Sequence, residues 1–555
     1  MPNELDRRYD EELARVTGEG GRLSIGHDAM GRAIVTNFPA TLPAFFKAFC
    51  HLNGANEAVV AGDERLTFAD LDRISDALAL GLVRRGVAKG DRIAIAMRNC
   101  PAWIVSFMAI LKAGGIATLL NGWWEPYEME HAVLLTEPKL IIADPPRAKR
   151  LAERCGKIET VCLPIDLPVE QAIAPLMGAG VSDVSLPELS PDDDATILFT
   201  SGSTGESKGA LSTQRAVTTG VYAYSTGLIV LLGILTQDGK APTSPPRTLL
   251  SVPLFHVTGE LPVMLNSFVV GRCMVIMPKW DATEALRLIE KEKITYFVGV
   301  PTMSLELMNH PDREKYDLSS LKDITAGGAP RPISHVERLQ EEFPNAQPAL
   351  GYGLTETNAT GCANFWSSYA AKPSSTGRAQ KPLVEVYILG AGDQRLGAGE
   401  VGEIGIRTAA NIKGYFCNPE ASEALMTADG TVRTGDVGYL DEDGYLFIVD
   451  RKKEIIIRGG ENISAAEVEA ECYACPAVAE AAVFGAPDDR LGEVPVAVIY
   501  VQDGEHLDEA ALLAHLDGRL AKFKIPARII FSAEPLPRLG TGKIDRRALK
   551  TQYAH

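Results

Sequence analysis

Hydrophobic positions along this chain fall into two alternating periods. Leu71, Ile74, Leu78 and Leu82 recur at three- and four-residue steps, the stripe of an amphipathic helix, and Thr67 stands where a capping hydroxyl would start it. Asp91-Arg92-Ile93-Ala94-Ile95-Ala96-Met97 then alternates as a strand does. Pro101 to Ala113 returns to helix, and Gly114-Gly115 ends it. The same succession predicts a helix over 281–292 and a strand over 294–300. Helices alternating with short apolar strands predict an α/β fold with largely parallel sheets.

The texture changes after Asp436. Tyr445 to Asp450 reads as a strand running into the basic cluster Arg451-Lys452-Lys453. Ser464 caps a predicted helix with Glu467 at the capping-box position, residues 494–501 read as a strand and 507–520 as a helix. This is a compact α+β unit of about a hundred residues, and with 555 residues the chain exceeds what one hydrophobic core supports. The expected organisation is a large N-terminal domain, 1–449, of mainly parallel α/β sheets, with a small mobile α+β domain, 450–555, joined near Asp450. Between Arg215 and Asp238 no residue is charged. Its purely apolar part falls short of the ~20 residues a membrane span needs, so a buried helix is expected, with peripheral membrane contact left open. Gln237 to Arg247, with three prolines, reads as a surface loop.

Composition narrows the function classes. Hydrophobic residues at 46% and charged residues at 23% are ordinary for a globular protein. The formal net charge of -17 argues against a nucleic-acid partner, which calls for a basic face. Nine cysteines are scattered; Cys472 and Cys475 have no second pair or nearby histidine to complete a metal site. No apolar run follows the N-terminus as a secretory leader would, and a reducing cytoplasm is expected. Oligomeric state is left open, a homodimer included.

Candidate chemistry is densest in Thr200-Ser201-Gly202-Ser203-Thr204-Gly205-Glu206-Ser207-Lys208-Gly209. Glycines let backbone N–H groups close on an anion, hydroxyls add donors and Lys208 adds a point charge. Apolar Ile197-Leu198-Phe199 reads as the strand feeding the loop. Its spacing is not that of the nucleotide-kinase loop, because Lys208 follows Ser and precedes Gly. The loop closely resembles the T-S-G-[ST]-T-G-x-P-K-G signature of the AMP-forming superfamily of acyl-CoA synthetases, peptide-synthetase adenylation domains and beetle luciferases. Ser207 departs from it, standing where proline is usual and removing a φ restraint.

Further segments resemble that superfamily in its own order, from about residue 60 to 550. Ala326-Gly327-Gly328-Ala329-Pro330 resembles its adenine-binding turn, and Gly351-Tyr352-Gly353-Leu354-Thr355-Glu356-Thr357 its aromatic-Gly-x-Thr-Glu motif. Thr434-Gly435-Asp436 resembles the ribose-binding motif, Asp450-Arg451-Lys452-Lys453-Glu454 the hinge, and Pro537 to Ile544 the catalytic-lysine loop. The resemblance implies an ATP/AMP site of Thr200, Ser201, Gly202, Ser203, Thr204, Gly205, Lys208, Gly328, Ala329, Pro330, Tyr352, Gly353, Asp436 and Arg451. Tyr352 offers adenine a flat face, and Asp436 can accept from both ribose hydroxyls. Arg451 adds a planar fork. Thr355 can donate to a phosphate, and Glu356 is a hard acceptor suited to Mg2+ bridging phosphate oxygens. Lys543, on a loop with two glycines, is the implied catalytic cation where a carboxylate attacks the α-phosphate.

The implied reaction adenylates a carboxylic acid with ATP and releases pyrophosphate. Ile457 to Ser464 resembles the form in fatty-acid and aryl coenzyme A ligases, placing Gly459 and Gly460 near the pantetheine path, with Asp450 or Lys453 as hinge. Pro253-Leu254-Phe255-His256-Val257-Thr258-Gly259 resembles the motif whose histidine borders the acyl tunnel; by itself, His256 among apolar neighbours also fits a satisfied core histidine. Val263, Met264, Phe297, Val298, Met303 and the turn at Gly327 are the expected pocket lining. No basic residue stands out for a second polar group, which favours an apolar acid. Two other readings are a synthetase passing the acyl group to a carrier protein or amine, and a non-catalytic nucleotide binder. The intact Lys208, Glu356, Asp436 and Lys543 argue against the binder.

Overall fold

The structure is a computed structural model that describes residues 3–177, 184–200, 207–327, 331, 333–451, 454–458, 461–488, 490–502, 504–517, 519–539 and 543–554. Three sheets dominate it, of seven, thirteen and five strands. In the seven-stranded sheet, strands Asp194–Thr200, Ile116–Leu119, Arg92–Ala96, Leu140–Ala143 and Thr160–Cys162 run parallel side by side. The alternation read at 91–97 is one of size, Ala against Ile: Ile93 to Met97 are all buried, because helices cover both faces.

The thirteen-stranded sheet has a parallel centre, Glu57–Ala61, Cys273–Ile276, Arg247–Leu250, Tyr296–Gly299, Asp323–Gly327 and Gln347–Gly353 in spatial order. Antiparallel strands extend it through Tyr445–Arg451 and Thr431–Leu440, which pair with each other, to Gly402–Thr408 and Val384–Leu389 at the edge. The five-stranded sheet follows in sequence, built on the long hairpin Val478–Asp488 and Gly492–Val501.

Helix starts follow their caps. Thr67 and Asp70 form a reciprocal capping box for Phe68–Arg84, and Asp281 caps Ala282–Glu292. The helix expected over 507–520 is confined to Glu509–Leu516, because Asp508 caps it. The uncharged stretch becomes the long helix Gln214–Gln237, apolar enough by composition to cross a membrane but with 72% of its most apolar window buried inside the protein. Against it packs a helix from Gly259 to Val270 whose first part, Gly259–Leu265, is wound as a π-helix around Pro262. Proline has no N–H to give and its ring crowds the preceding turn, so the wider winding relieves the conflict.

Candidate active site

The two ends of the glycine-rich segment, Thr200 and Lys208, lie on paired antiparallel strands. Thr200 ends strand Asp194–Thr200, and Lys208 opens strand Lys208–Thr213 directly opposite it. Ser201, Gly202, Ser203, Thr204 and Gly205 lie outside the described residues. His131 donates from Nε2 to the Ser207 carbonyl at 3.1 Å and so holds the hairpin's flank to the helix Pro126–Thr136.

Tyr415 joins two of the expected site residues. Its ring lies 4.8 Å from the Lys208 ammonium, measured to the centroid, and its hydroxyl donates to Glu356 Oε1 at 2.7 Å. Burial, with Glu356 beside it, pushes the Tyr415 phenol above its ordinary range. Sequence reading missed Tyr415, because its position depends on Gly414–Tyr415 pairing with Ala210 and Leu211, some two hundred residues earlier. Thr355 and Glu356 are half-buried in a single 3-10 turn, Thr355–Thr357. Asn358 and Ala359 leave that turn in the left-handed region, φ 48° and 61°. Asn358 holds the strained exit in place, donating from Nδ2 to Ser212 Oγ at 3.0 Å and to the Ala410 carbonyl at 2.8 Å. The turn is thereby tied to the hairpin strand. Gly353, just before it, is indispensable: an added Cβ would sit 2.1 Å from the Ala359 carbonyl oxygen.

Tyr352 and Asp436 meet directly. The tyrosine hydroxyl donates to Asp436 Oδ2 at 2.6 Å, and Asp436 is buried. Burial and this carboxylate raise the Tyr352 phenol well above its usual value. Asp436 is also the register partner of Arg451 across two antiparallel strands. Gly328, Ala329, Pro330, Lys453, Gly459 and Gly460 lie outside the described residues.

His256 and Lys543 come from the two ends of the expected organisation and act on one another. The Leu539 N–H donates to the Lys543 carbonyl at 2.8 Å. Desolvation first, and the Lys543 ammonium second, hold the His256 imidazole down to about 3. His256 is therefore neutral at physiological pH, and its Nδ1 accepts from the Thr258 N–H at 3.3 Å. Asp450 lies on strand Tyr445–Arg451. It is buried and accepts from the Ala465 N–H at 2.5 Å, while Ser464 accepts from the Glu467 N–H. The two side chains cap helix Ala465–Tyr473.

The expected pocket lining divides. Val263, Met264 and Val298 belong to the large core that includes the long helix. Phe297 and Met303 point to the other side of the sheet, into a separate core with Leu249, Val275 and Ile324, because neighbours along a strand face opposite ways. Arg272 is buried with its guanidinium 4.3 Å over the Tyr296 ring, and Glu260 is buried one helical turn after His256.

Comparison with known proteins fits this geometry. Residues 46–416 match the AMP-binding enzyme family and residues 467–543 the AMP-binding enzyme C-terminal domain. A long-chain-fatty-acid–CoA ligase of Bacillus subtilis is 33% identical over 88% of this chain and 90% of its own length. A feruloyl-CoA synthase of an Amycolatopsis species is 33% identical over 89% of this chain and 96% of its own. The o-succinylbenzoate coenzyme A synthetase of Bacillus subtilis, solved with ATP and a magnesium ion, superposes with a TM-score of 0.77 at 28% identity, covering 91% of this chain and 99% of that one. The chain belongs to the AMP-binding enzyme family, the adenylate-forming enzymes of the acyl-CoA synthetase type.

Proposed function

We propose that the chain activates an apolar carboxylic acid with ATP, forming an acyl-AMP and pyrophosphate, and then transfers the acyl group to coenzyme A. The chain is an AMP-forming ligase with ATP and coenzyme A as substrates. The glycine-rich segment and Lys208 take the phosphates. Tyr352 borders adenine, while Asp436 and Arg451 hold the ribose. The Tyr352–Asp436 bond orients the carboxylate in advance, and a ribose hydroxyl would share or displace it.

Glu356 is the candidate magnesium ligand. Among the described residues no cluster of three or more His, Cys, Asp or Glu could cage a metal. That fits magnesium, which is held by one or two carboxylates with substrate phosphates completing its shell. The ion would neutralise charge on the phosphates. Tyr415 fixes Glu356 Oε1, which leaves Oε2 to face the ligand.

The reading is carried by the Tyr352–Asp436 bond and by Tyr415 joining Glu356 to Lys208; Lys543, within electrostatic reach of His256, completes it. A cation there offsets the charge that builds as the acid's carboxylate attacks the α-phosphate, and His256 borders the acid on its other side. The neutral imidazole at this spot is a wall, not a base. Thioester formation would require the small unit, 450–555, to turn about residues 450–453, with Asp450 carrying its cap on helix Ala465–Tyr473. Free cysteines throughout the described residues support a reducing compartment such as the cytoplasm.

The test uses a panel of carboxylic acids with ATP and magnesium, followed by pyrophosphate release with and without coenzyme A. Lys543→Ala should lower adenylation by roughly 10²–10³-fold and spare thioester formation from supplied acyl-AMP. An equal fall in both halves would remove Lys543 from the chemical step. Pyrophosphate release that coenzyme A never converts to thioester would favour a carrier protein or an amine as acceptor.

A further inference from the structure

Arg272 follows Gly271, the left-handed residue that ends the π-wound helix, and directly precedes strand Cys273–Ile276. It is 5% exposed, and its Nε and Nη1 have no acceptor. Five N–H donors on a permanent charge are costly to bury unmatched, and a helix-to-strand junction does not require arginine. Buried donors that the chain leaves unpaired call for an acceptor from outside it.

The strands show where this group lies. Thr248, Tyr296 and Asp323 are register partners at the starts of three parallel strands, and Arg272 stacks on Tyr296 there. The candidate active site lies beyond the other ends of the same strands. Between them, on the face turned to the long helix, the sheet carries Val298 and Thr325, and Tyr296, Asp323, Thr325, Gly327 and Gly351 all keep partial exposure there. An added Cβ at Gly327 would meet only Thr258 Cγ2, at 3.8 Å, and at Gly351 only the Tyr224 hydroxyl, at 3.9 Å. Gly327 and Gly351 are themselves register partners. The strip from Gly327 back to Asp323 is four residues, about 13 Å of strand.

We propose that Arg272 is the far wall of the acid pocket, selecting carboxylic acids that carry an uncharged oxygen acceptor about 13 Å from the activated carboxyl. The inference rests on the ligase reading above and narrows its substrate class. An uncharged oxygen fits better than a second carboxylate, because Asp323 already sets a negative partner within electrostatic reach of the guanidinium. Asp323 is itself tied to Trp366, whose indole N–H donates to it at 2.8 Å. A ketone or hydroxyl would accept from Arg272 without adding charge to the pair.

The experiment compares dodecanoate, 11-oxododecanoate and dodecanedioate as acids, reading kcat/KM from pyrophosphate release for the full chain and for Arg272→Leu and Arg272→Lys. The full chain should favour the oxo acid over the plain acid by at least about tenfold, carried mostly in KM. Arg272→Leu should erase that ratio, and Arg272→Lys should keep part of it. A full chain that prefers the plain acid or the diacid overturns the proposal without needing any variant to fold. So does a preference that survives intact in Arg272→Leu. Failure of every acid, these three and the wider panel, would instead remove the ligase reading on which this one stands.

Discussion

The two faces of the thirteen-stranded sheet are built from the same strands and finished differently. On one face Leu249, Val275, Phe297 and Ile324 pack with Leu286, Ile289 and Leu307. On the other, alternate residues of the same strands turn Thr248, Tyr296, Val298 and Thr325 toward the long helix. That layer buries Glu260 with neither oxygen bonded, Arg272 with two nitrogens unmatched and the Thr248 hydroxyl without a partner. The first face pairs its own charges, Arg247 with Glu57 and the buried Glu292, whereas among the described residues Glu260 and Arg272 form no ion pair. The difference is between ionisable groups that the fold pairs on one face and buried ones that it leaves unpaired on the other.

The comparison breaks most visibly on the apolar face. Phe297 is 1% exposed and packs near Trp280, with ring centroids 5.7 Å apart. Phe297→Ala should cost about 3–5 kcal/mol in urea unfolding. Its preference among acids should stay as it was, since the side chain points away from the candidate pocket. A changed order of preference among acids would put Phe297 back among the pocket residues, where sequence reading placed it.

That misplacement marks the limit of what the chain discloses in one dimension. Thr67 with Asp70, Asp281 and Ser464 are readable as helix starts because a cap acts within three residues. The candidate phosphate segment is readable for the same reason: its glycines, hydroxyls and Lys208 are contiguous. Tyr415 is not readable, because its link to Glu356 depends on a two-residue strand pairing across the chain. Phe297 against Val298 is a question of strand phase, which an unbroken apolar run from Phe297 to Val298 does not settle. Arg272, between Gly271 and Cys273, reads as an ordinary charged residue at a helix end; only the fold buries it.

The second test uses pH. Burial alone pushes the Glu260 carboxyl up to about 8, so in the folded protein it is protonated at neutral pH. The folded state then holds a proton that the unfolded chain releases near its ordinary carboxyl value. Glu260 therefore contributes stability that is fully present at acid pH and is lost as pH rises through about 8, at about 1.4 kcal/mol per unit of displacement. Glu260→Gln should flatten the decline in unfolding free energy between pH 5 and 8 relative to the parent chain. Parallel profiles for the two proteins would mean that Glu260 has a partner when folded, and the contrast between the faces would lose one of its three members.

The smallest effect is the most direct probe of incompleteness. Thr248 is fully buried in the middle of the sheet, its backbone paired on both sides and its hydroxyl unbonded. Valine has nearly the same shape without the hydroxyl. On a face completed by the chain alone, such a change would remove a hydrogen bond and destabilise. Here Thr248→Val relieves a buried polar group of its unmet need, so stability should rise by up to about 1 kcal/mol. The same substitution measured with a bound acid should give less of that gain if the acid's own atoms reach the hydroxyl, and the full gain if they stop short of it. A loss of stability in the ligand-free protein would show that the hydroxyl is already satisfied, and that the unmatched groups opposite the long helix begin only at Glu260 and Arg272.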